Sequence, residues 1–421
     1  MSTALGVGSV PEQTGRTTIS PTVTRHVDHD FSEMHRRMQW WVDQELLPCV
    51  ATVVLHGDDV VDVATFGYMN LHTKEPLRRD AIHRMYSNTK PITSVALMTL
   101  YERGLFDLDD PIEKYIPALA DRRVLVEGAT SLDQTVPAER SITPRHLLSH
   151  SSGLSYGFVE PESLIDRSYL ASGLDILGDY DEPLENLCRR LGDFPLVFQP
   201  GSEWRYSFGA DVMAHLAEVL TGESFDVFLD ETIFSPLEMV DTGFHVPEEK
   251  HDRLVTLFAS TDPLDYGTPV EVVYDDPLPG VFYEPRELLM GGGGLVSTLQ
   301  DYTNFMQMLI NGGEWRGRRI IREETLQLMR TNQLPSGVHV NFPDLPLPGM
   351  GFGLGFSLLE EPDQDDPPRS EGEYGWGGLA GTYAFITPRR EVAGICFSQR
   401  MPAFRHPYRD DFRRFAYASK G

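Results

Sequence analysis

Two polar residues three positions apart carry the first chemical possibility in this chain. The stretch "MYSNTKPITSVALMTLYERGL", Met85 to Leu105, sets Ser87 and Lys90 at the head of an apolar-periodic segment. On a helix, residues three apart share a face, so the hydroxyl and the amine can come within reach of each other. A serine is a weak nucleophile until a neighbour takes its proton, and a lysine can take it once burial disfavours the ammonium. The positive field of a helix N-terminus favours a developing oxyanion. Read alone, Ser87 is a helix cap, and Ser-x-x-Lys is a common chance match.

Further candidates lie downstream. In "PGSEWRYSFGADVMAHLAEVLTG", Tyr206 sits between a Pro-Gly turn and an amphipathic helix, where a phenol could serve as a second general base. A nearby lysine ammonium would favour the phenolate and lower its pKa. In "YGWGGLAGTYAFITP", Trp376, Gly377 and Gly378 stand at the start of a strand. Glycines there let a substrate lie close to the backbone, and the N–H of Leu379 could join that of Ser87 as an oxyanion hole. Taken singly, Tyr206 is a buried aromatic and the glycines a bulge.

Three other patterns compete and are weaker. His146 and His150 in "HLLSH" are four apart on a helix, but no Glu follows the first and no third metal ligand is evident. The run Gly291 to Gly294 lacks the Lys-Ser/Thr of a phosphate loop, so it reads as a close backbone approach. "GLSYG", Gly153 to Gly157, is formally G-x-S-x-G, but a helix precedes it where a nucleophile elbow needs a strand. Ser155 therefore reads as part of a turn.

These residues need a scaffold. The first 25 residues are rich in Thr, Gly, Ser and Pro and read as a loose arm. A helical pattern covers Asp30 to Leu47, and "CVATVVLHGDDVVDVATFGYMN" gives two β-rich runs parted by Gly57-Asp58-Asp59, a hairpin signal. Next comes the amphipathic helix signalled by Ile92, Val95, Ala96 and Leu100, with Pro91 in its first turn and Gly104 as its stop; Ser87 falls at or near its N-cap. From 107 to 285 helix-like pieces alternate with Pro/Gly-rich loops. After the glycine run, strand patterns return, interrupted by the acidic loop "EEPDQDDPPRSEGE" and followed by a helix to Ala418. The organisation expected is an α/β domain from 26–106 and 286–421, with a mostly helical domain, 107–285, inserted in it.

Composition limits the partners. With 421 residues, 41% of them hydrophobic, the chain can bury a large core. Lys and Arg number 36 against 63 Asp and Glu, a formal charge of −27 that repels nucleic acid and anionic lipid and solubilises the surface. Three scattered cysteines suggest a reducing compartment. The N-terminus lacks a signal-peptide pattern, and no apolar run approaches the ~18 residues of a membrane span. The expectation is a soluble cytoplasmic protein.

The motifs "SNTK", "YSF" and "WGG", in that order, resemble those of the serine β-lactamase and penicillin-binding-protein superfamily, in its class C-like branch. "LLSHSSGL", "QPGSEWRYS", "GGGGLVST" and "GLAGTYAFITP" extend the resemblance from about Asp30 to Tyr417. Two departures stand out. Phe208 occupies the third position of Tyr-x-Asn, and Trp376-Gly377-Gly378 replaces Lys-Thr/Ser-Gly, so the polar groups that hold a β-lactam or peptide are missing. That pattern is similar to the family VIII carboxylesterases; the fold also serves acyltransferases like the one that acylates the lovastatin precursor, and nylon-oligomer amidases.

The resemblance implies an α/β (α+β) fold, an antiparallel sheet flanked by helices, with the site in a cleft against the inserted helical domain. It implies a serine hydrolase of small carboxylic esters with short to medium acyl chains, without metal or organic cofactor. Ser87 would be the nucleophile, Lys90 and Tyr206 the proton carriers, and water activated mainly by Tyr206 would release the acid. The N–H groups of Ser87 and Leu379 would form the oxyanion hole, and Trp376, Gly377, Gly378, Phe208 and Tyr156 would contact substrate. The alternatives are an acyltransferase, a weak β-lactamase or D-aminopeptidase-type amidase, and a non-catalytic binding protein.

Overall fold

The run Cys49–His56 becomes β1, a strand buried on both faces. Its side chains alternate between two cores: Ala51, Val53 and Leu55 enter the larger, while Val50 and Val54 enter a smaller one beneath the first and last helices. A turn with Gly57 at φ +60° leads into β2 (Asp59–Asn70), and β3 (Glu75–Pro76) follows. The remaining strands come from the other end of the chain: β4 (Met350–Phe352), β5 (Ser357–Leu359), β6 (Tyr374–Gly377), β7 (Thr382–Ile386) and β8 (Val392–Phe397). The eight form one sheet in the order β4-β5-β6-β7-β8-β1-β2-β3, antiparallel throughout. Its centre joins the two ends of the chain, with Ala51 opposite Phe397 and Leu55 opposite Ala393.

This computed structural model describes residues 29–175, 181–262, 265–274, 281–342, 345–347, 349–387, 389–404 and 406–419; the arm expected over 1–25 lies outside them. Helices α1 (Ser32–Asp43), α2 (Lys90–Glu102), α3 (Gly209–Thr221), α4 (Leu299–Ile310) and α5 (Tyr408–Ala418) position the sheet and the site. Helices α1 and α5 cover the smaller core through Met34, Met38, Trp41, Tyr408 and Phe412. Helices α2 and α4 line the larger one.

Helix α2 departs from the expected amphipathic element. Every residue from Lys90 to Leu100 except Thr99 is buried, because α2 runs through the interior between the sheet and α3. Its end is as read: Gly104 takes φ +69° and its N–H bonds the Tyr101 carbonyl. The stretch 107–285 holds the expected helices, among them Pro144–Leu148, Leu184–Gly192 and α3, but more strand than its sequence suggests. Arg123–Leu125 pairs with Thr135–Pro137, and Phe258–Ser260 pairs with both Val270–Val273 and Arg400–Met401. Strands of two to four residues leave no period to read.

Candidate active site

Ser87 lies one turn ahead of the position its sequence suggests. The 3₁₀ turn Tyr86–Thr89 carries it, and α2 starts only at Lys90, so Ser87 is not the cap of the α-helix. That turn is tied down on both sides. Met85 N–H bonds Leu295 O at 2.9 Å, Thr89 Oγ1 accepts Leu295 N–H at 3.2 Å, and Tyr302 donates to Asn88 Oδ1 at 2.8 Å. Tyr86, just before the serine, adopts φ +44°, a conformation costing about 1–2 kcal/mol for a residue with a Cβ. The bonds around it hold that strain and keep Ser87 half-exposed while Tyr86, Asn88 and Thr89 are buried.

Lys90 is 2% exposed. Its Nζ lies 3.4 Å from Ser87 Oγ, donates to Gly292 O at 2.7 Å and sits 4.4 Å above the centre of the Tyr206 ring. Burial pulls its pKa down to about 7, and the negative charge of Asp211 opposes that fall. Near neutral pH a large share of Lys90 is therefore free amine, able to accept a proton.

Tyr206 reaches the site on the segment between the Pro200-Gly201 turn and α3, as read. Its hydroxyl accepts a hydrogen bond from Trp376 Nε1 at 3.2 Å, and hydrogen bonding with Ser87 favours its ionised form. Burial outweighs both and raises the phenol above its ordinary range. This corrects the expectation that lysine would lower it: the desolvation that makes Lys90 neutral also removes the cation a phenolate would need.

Just after β6, Gly378 brings backbone against the turn bearing Ser87. A Cβ on Gly378 would stand 2.1 Å from Met85 O, so only glycine fits beside the turn bearing Ser87. Leu379 follows and packs with Tyr86. Trp376 is buried against Tyr206, Phe352 and Phe404, with ring centres 5.6, 5.3 and 5.7 Å away. Tyr156 sits under Lys90, its ring centre 5.2 Å from Nζ. Phe208 differs from its expected place on the substrate wall. It is 1% exposed with its ring centre 4.4 Å from that of Tyr156, which is equally buried and likewise departs from its expected place against substrate.

The competing patterns take other roles. Ser155 is fully buried, donating to Asp166 Oδ1 and accepting from Arg205 Nε, both at 2.6 Å. His146 closes a capping box with Thr143, while His150 at φ +57° packs its ring 4.7 Å from Tyr206. Among the described residues, no three His, Cys, Asp or Glu are grouped to hold a metal. The glycine run is a close backbone approach, as expected: Gly291 O accepts from Thr93 Oγ1 at 2.8 Å, and a Cβ on Gly291 would meet Ala210 O at 2.7 Å.

Two participants escaped the sequence reading. Asp211 is fully buried in the first turn of α3, where its only signal is a charge within the apolar start "GADVMA". The carbonyl of Gly292 is an acceptor that no side chain announces.

Comparison with known proteins agrees with this geometry. A family model described as Beta-lactamase matches residues 33–418. Esterase EstB of Burkholderia gladioli is 29% identical over 353 residues, 82% of this chain and 83% of that protein. Monacolin J acid methylbutanoyltransferase of Aspergillus terreus is 29% identical over 362 residues, 82% of this chain and 83% of its own. The solved structure of EstCE1, described as a hydrolase with promiscuous acyltransferase activity, superposes with a TM-score of 0.78 at 24% identity, covering 91% of this chain and 97% of that one.

Proposed function

The chain belongs to the beta-lactamase family and is an esterase-like serine hydrolase within it, and we propose that it cleaves neutral carboxylic esters of short to medium acyl chains through an acyl-Ser87 intermediate, as family VIII carboxylesterases do. One observation carries the assignment of roles: a desolvated Lys90 amine stands 3.4 Å from the Ser87 hydroxyl.

In this reading neutral Lys90 takes the Ser87 proton as Oγ attacks the ester carbonyl. The N–H groups of Ser87 and Leu379 receive the oxyanion, a contribution of ~3 kcal/mol per donor in sites of this kind. Tyr206 stays a neutral phenol, gives its proton to the departing alkoxide and regains one from the Lys90 ammonium, so the alcohol leaves neutral. Water then attacks the acyl-serine, its proton passing back along the same groups to Ser87. The half-buried ring of Phe404 beside Trp376 supports an apolar substrate group. A cytoplasmic location is supported by the three free, buried cysteines, and no described helix is long and apolar enough to cross a membrane.

The test is hydrolysis of a p-nitrophenyl butyrate by wild type, Ser87→Ala and Ser155→Ala. We expect Ser87→Ala to lose at least ~10³-fold in kcat and Ser155→Ala to keep most activity per folded molecule. Equal loss in both sinks the assignment of the nucleophile. Because the neutral amine is the active form, kcat/KM should rise with pH through about 7. A second reading, acyl transfer to an alcohol, is supported by the likeness to Monacolin J acid methylbutanoyltransferase. Added short alcohols that divert product from acid to new ester would establish it; a chromogenic cephalosporin turned over faster than the ester would favour the β-lactam branch.

A further inference from the structure

We propose that Asp211 is a positioning residue that acts on the reaction through Lys90, as a buried negative charge that holds the lysine in place and sets how readily it gives up its proton. The proposal rests on the reading of Ser87 and Lys90 as nucleophile and base.

The geometry is a closed set of contacts. Asp211 Oδ1 accepts the Gly292 N–H at 2.8 Å, and Oδ2 accepts the Tyr156 hydroxyl at 3.1 Å. The carbonyl of the same Gly292 accepts from Lys90 Nζ at 2.7 Å, and the Tyr156 ring lies under that nitrogen. Asp211 thus reaches Lys90 across one residue, Gly292, whose N–H and carbonyl belong to adjacent peptide groups, and across one phenol, and its charge favours the ammonium. No larger residue fits between: a Cβ on Gly292 would stand 2.6 Å from Tyr156 Oη and 2.7 Å from Asp211 Oδ2.

A carboxylate with no exposed surface is costly to keep unless something answers it. Packing alone does not call for one, since its neighbours Val212, Met213 and Leu216 on α3 are apolar. The other titratable groups facing this pair are Tyr206, Tyr156 and His150, with Cys188 facing Asp211 from the helix Leu184–Gly192. Burial disfavours the charged form of each of these four and of Asp211 itself, whose pKa it raises against the opposing pull of Lys90, the Gly292 N–H and the Tyr156 hydroxyl; among these groups Lys90 is the one whose charge favours the carboxylate. Burial pushes the Lys90 ammonium toward the amine and Asp211 pulls it back. Such a balance leaves a base strong enough to deprotonate serine yet with a large share uncharged near neutrality.

The experiment compares the pH dependence of kcat/KM for p-nitrophenyl butyrate in wild type, Asp211→Asn and Thr93→Val. Asparagine keeps the size and the acceptor for Gly292 and removes the charge, with the Tyr156 hydroxyl turned to accept from the new amide instead of donating to Oδ2. Thr93→Val loosens the same glycine run, by removing the bond to Gly291 O, and leaves the charge in place. We expect the acid limb to move to lower pH in Asp211→Asn, so that the ratio of kcat/KM at about pH 6 to that at about pH 8.5 rises at least ~3-fold over wild type, with a lower plateau because the amine is a weaker base. Thr93→Val should keep the wild-type limb whatever its plateau. An unmoved limb in Asp211→Asn, a shift to higher pH, or an equal shift in Thr93→Val each overturns the proposal. If Asp211→Asn does not fold, Asp211→Ser, smaller and still an acceptor, replaces it with the same expectation. Failure of the parent reading shows separately, as Ser87-independent hydrolysis or a wild-type profile without an acid limb.

Discussion

The indole of Trp376 meets Tyr206 twice, as a ring at 5.6 Å and as an N–H donor at 3.2 Å. The two roles separate in Trp376→Phe, which keeps an aromatic surface and loses the donor. A hydrogen bond to a buried phenol contributes about 1 kcal/mol, so kcat should fall roughly 5- to 10-fold while KM for a short ester changes little. A large KM effect with unchanged kcat would show the indole to be a substrate wall and nothing more. That Ser87, Lys90 and Tyr206 come together was legible in the sequence from the order of their motifs, since Ser-x-x-Lys alone is a common chance match. Asp211 was not legible, since its meaning depends on a glycine backbone and a tyrosine brought to it from other segments. Phe208 was misread for the same reason: whether an aromatic faces a cleft or stands behind another ring is decided by packing.

Among the elements, the turn bearing Ser87 is held between the start of the strand Val296–Thr298, which pairs with Ile82–Arg84, and the end of β6. Thr382 of β7 adds a hydroxyl donated to Met85 O at 2.9 Å. Gly378→Ala would drive a methyl into that carbonyl oxygen, and the strand or the turn must move. The expected outcome is a loss of about 1–3 kcal/mol in urea unfolding, with a fall in kcat larger than in any surface Gly→Ala control. Normal kcat in a stable Gly378→Ala would show that the turn tolerates displacement. Long periodic elements were legible: β1, β2, α1 and α5 stand where their patterns put them. Helix α2 was found but its surroundings were not, because apolar spacing marks one buried face and cannot reveal that the opposite face is covered too.

For the whole molecule, the formal charge of −27 is a standing repulsion that folding concentrates. Described ion pairs such as Arg413 with Glu373 and Asp366, and Arg253 with Asp241, offset it locally. Raising NaCl from about 0.05 to 0.5 M should therefore raise Tm by a few degrees through screening, a change read by calorimetry. A falling Tm would mean that the ion pairs outweigh the repulsion. The fold class was legible from the strand patterns at both ends taken with the motif order, whereas strand order was not, because register is fixed by contacts far apart in sequence.

The pairing of β1 with β8 bears on how the protein is made. Its central strand leaves the ribosome early, and the partner that completes the sheet follows only after most of the chain has been translated. Glycines 377 and 378 arrive just before that partner. On the proposed roles, a nascent chain carries its nucleophile long before the backbone that would stabilise an oxyanion, and it should not turn over an ester until synthesis is nearly done.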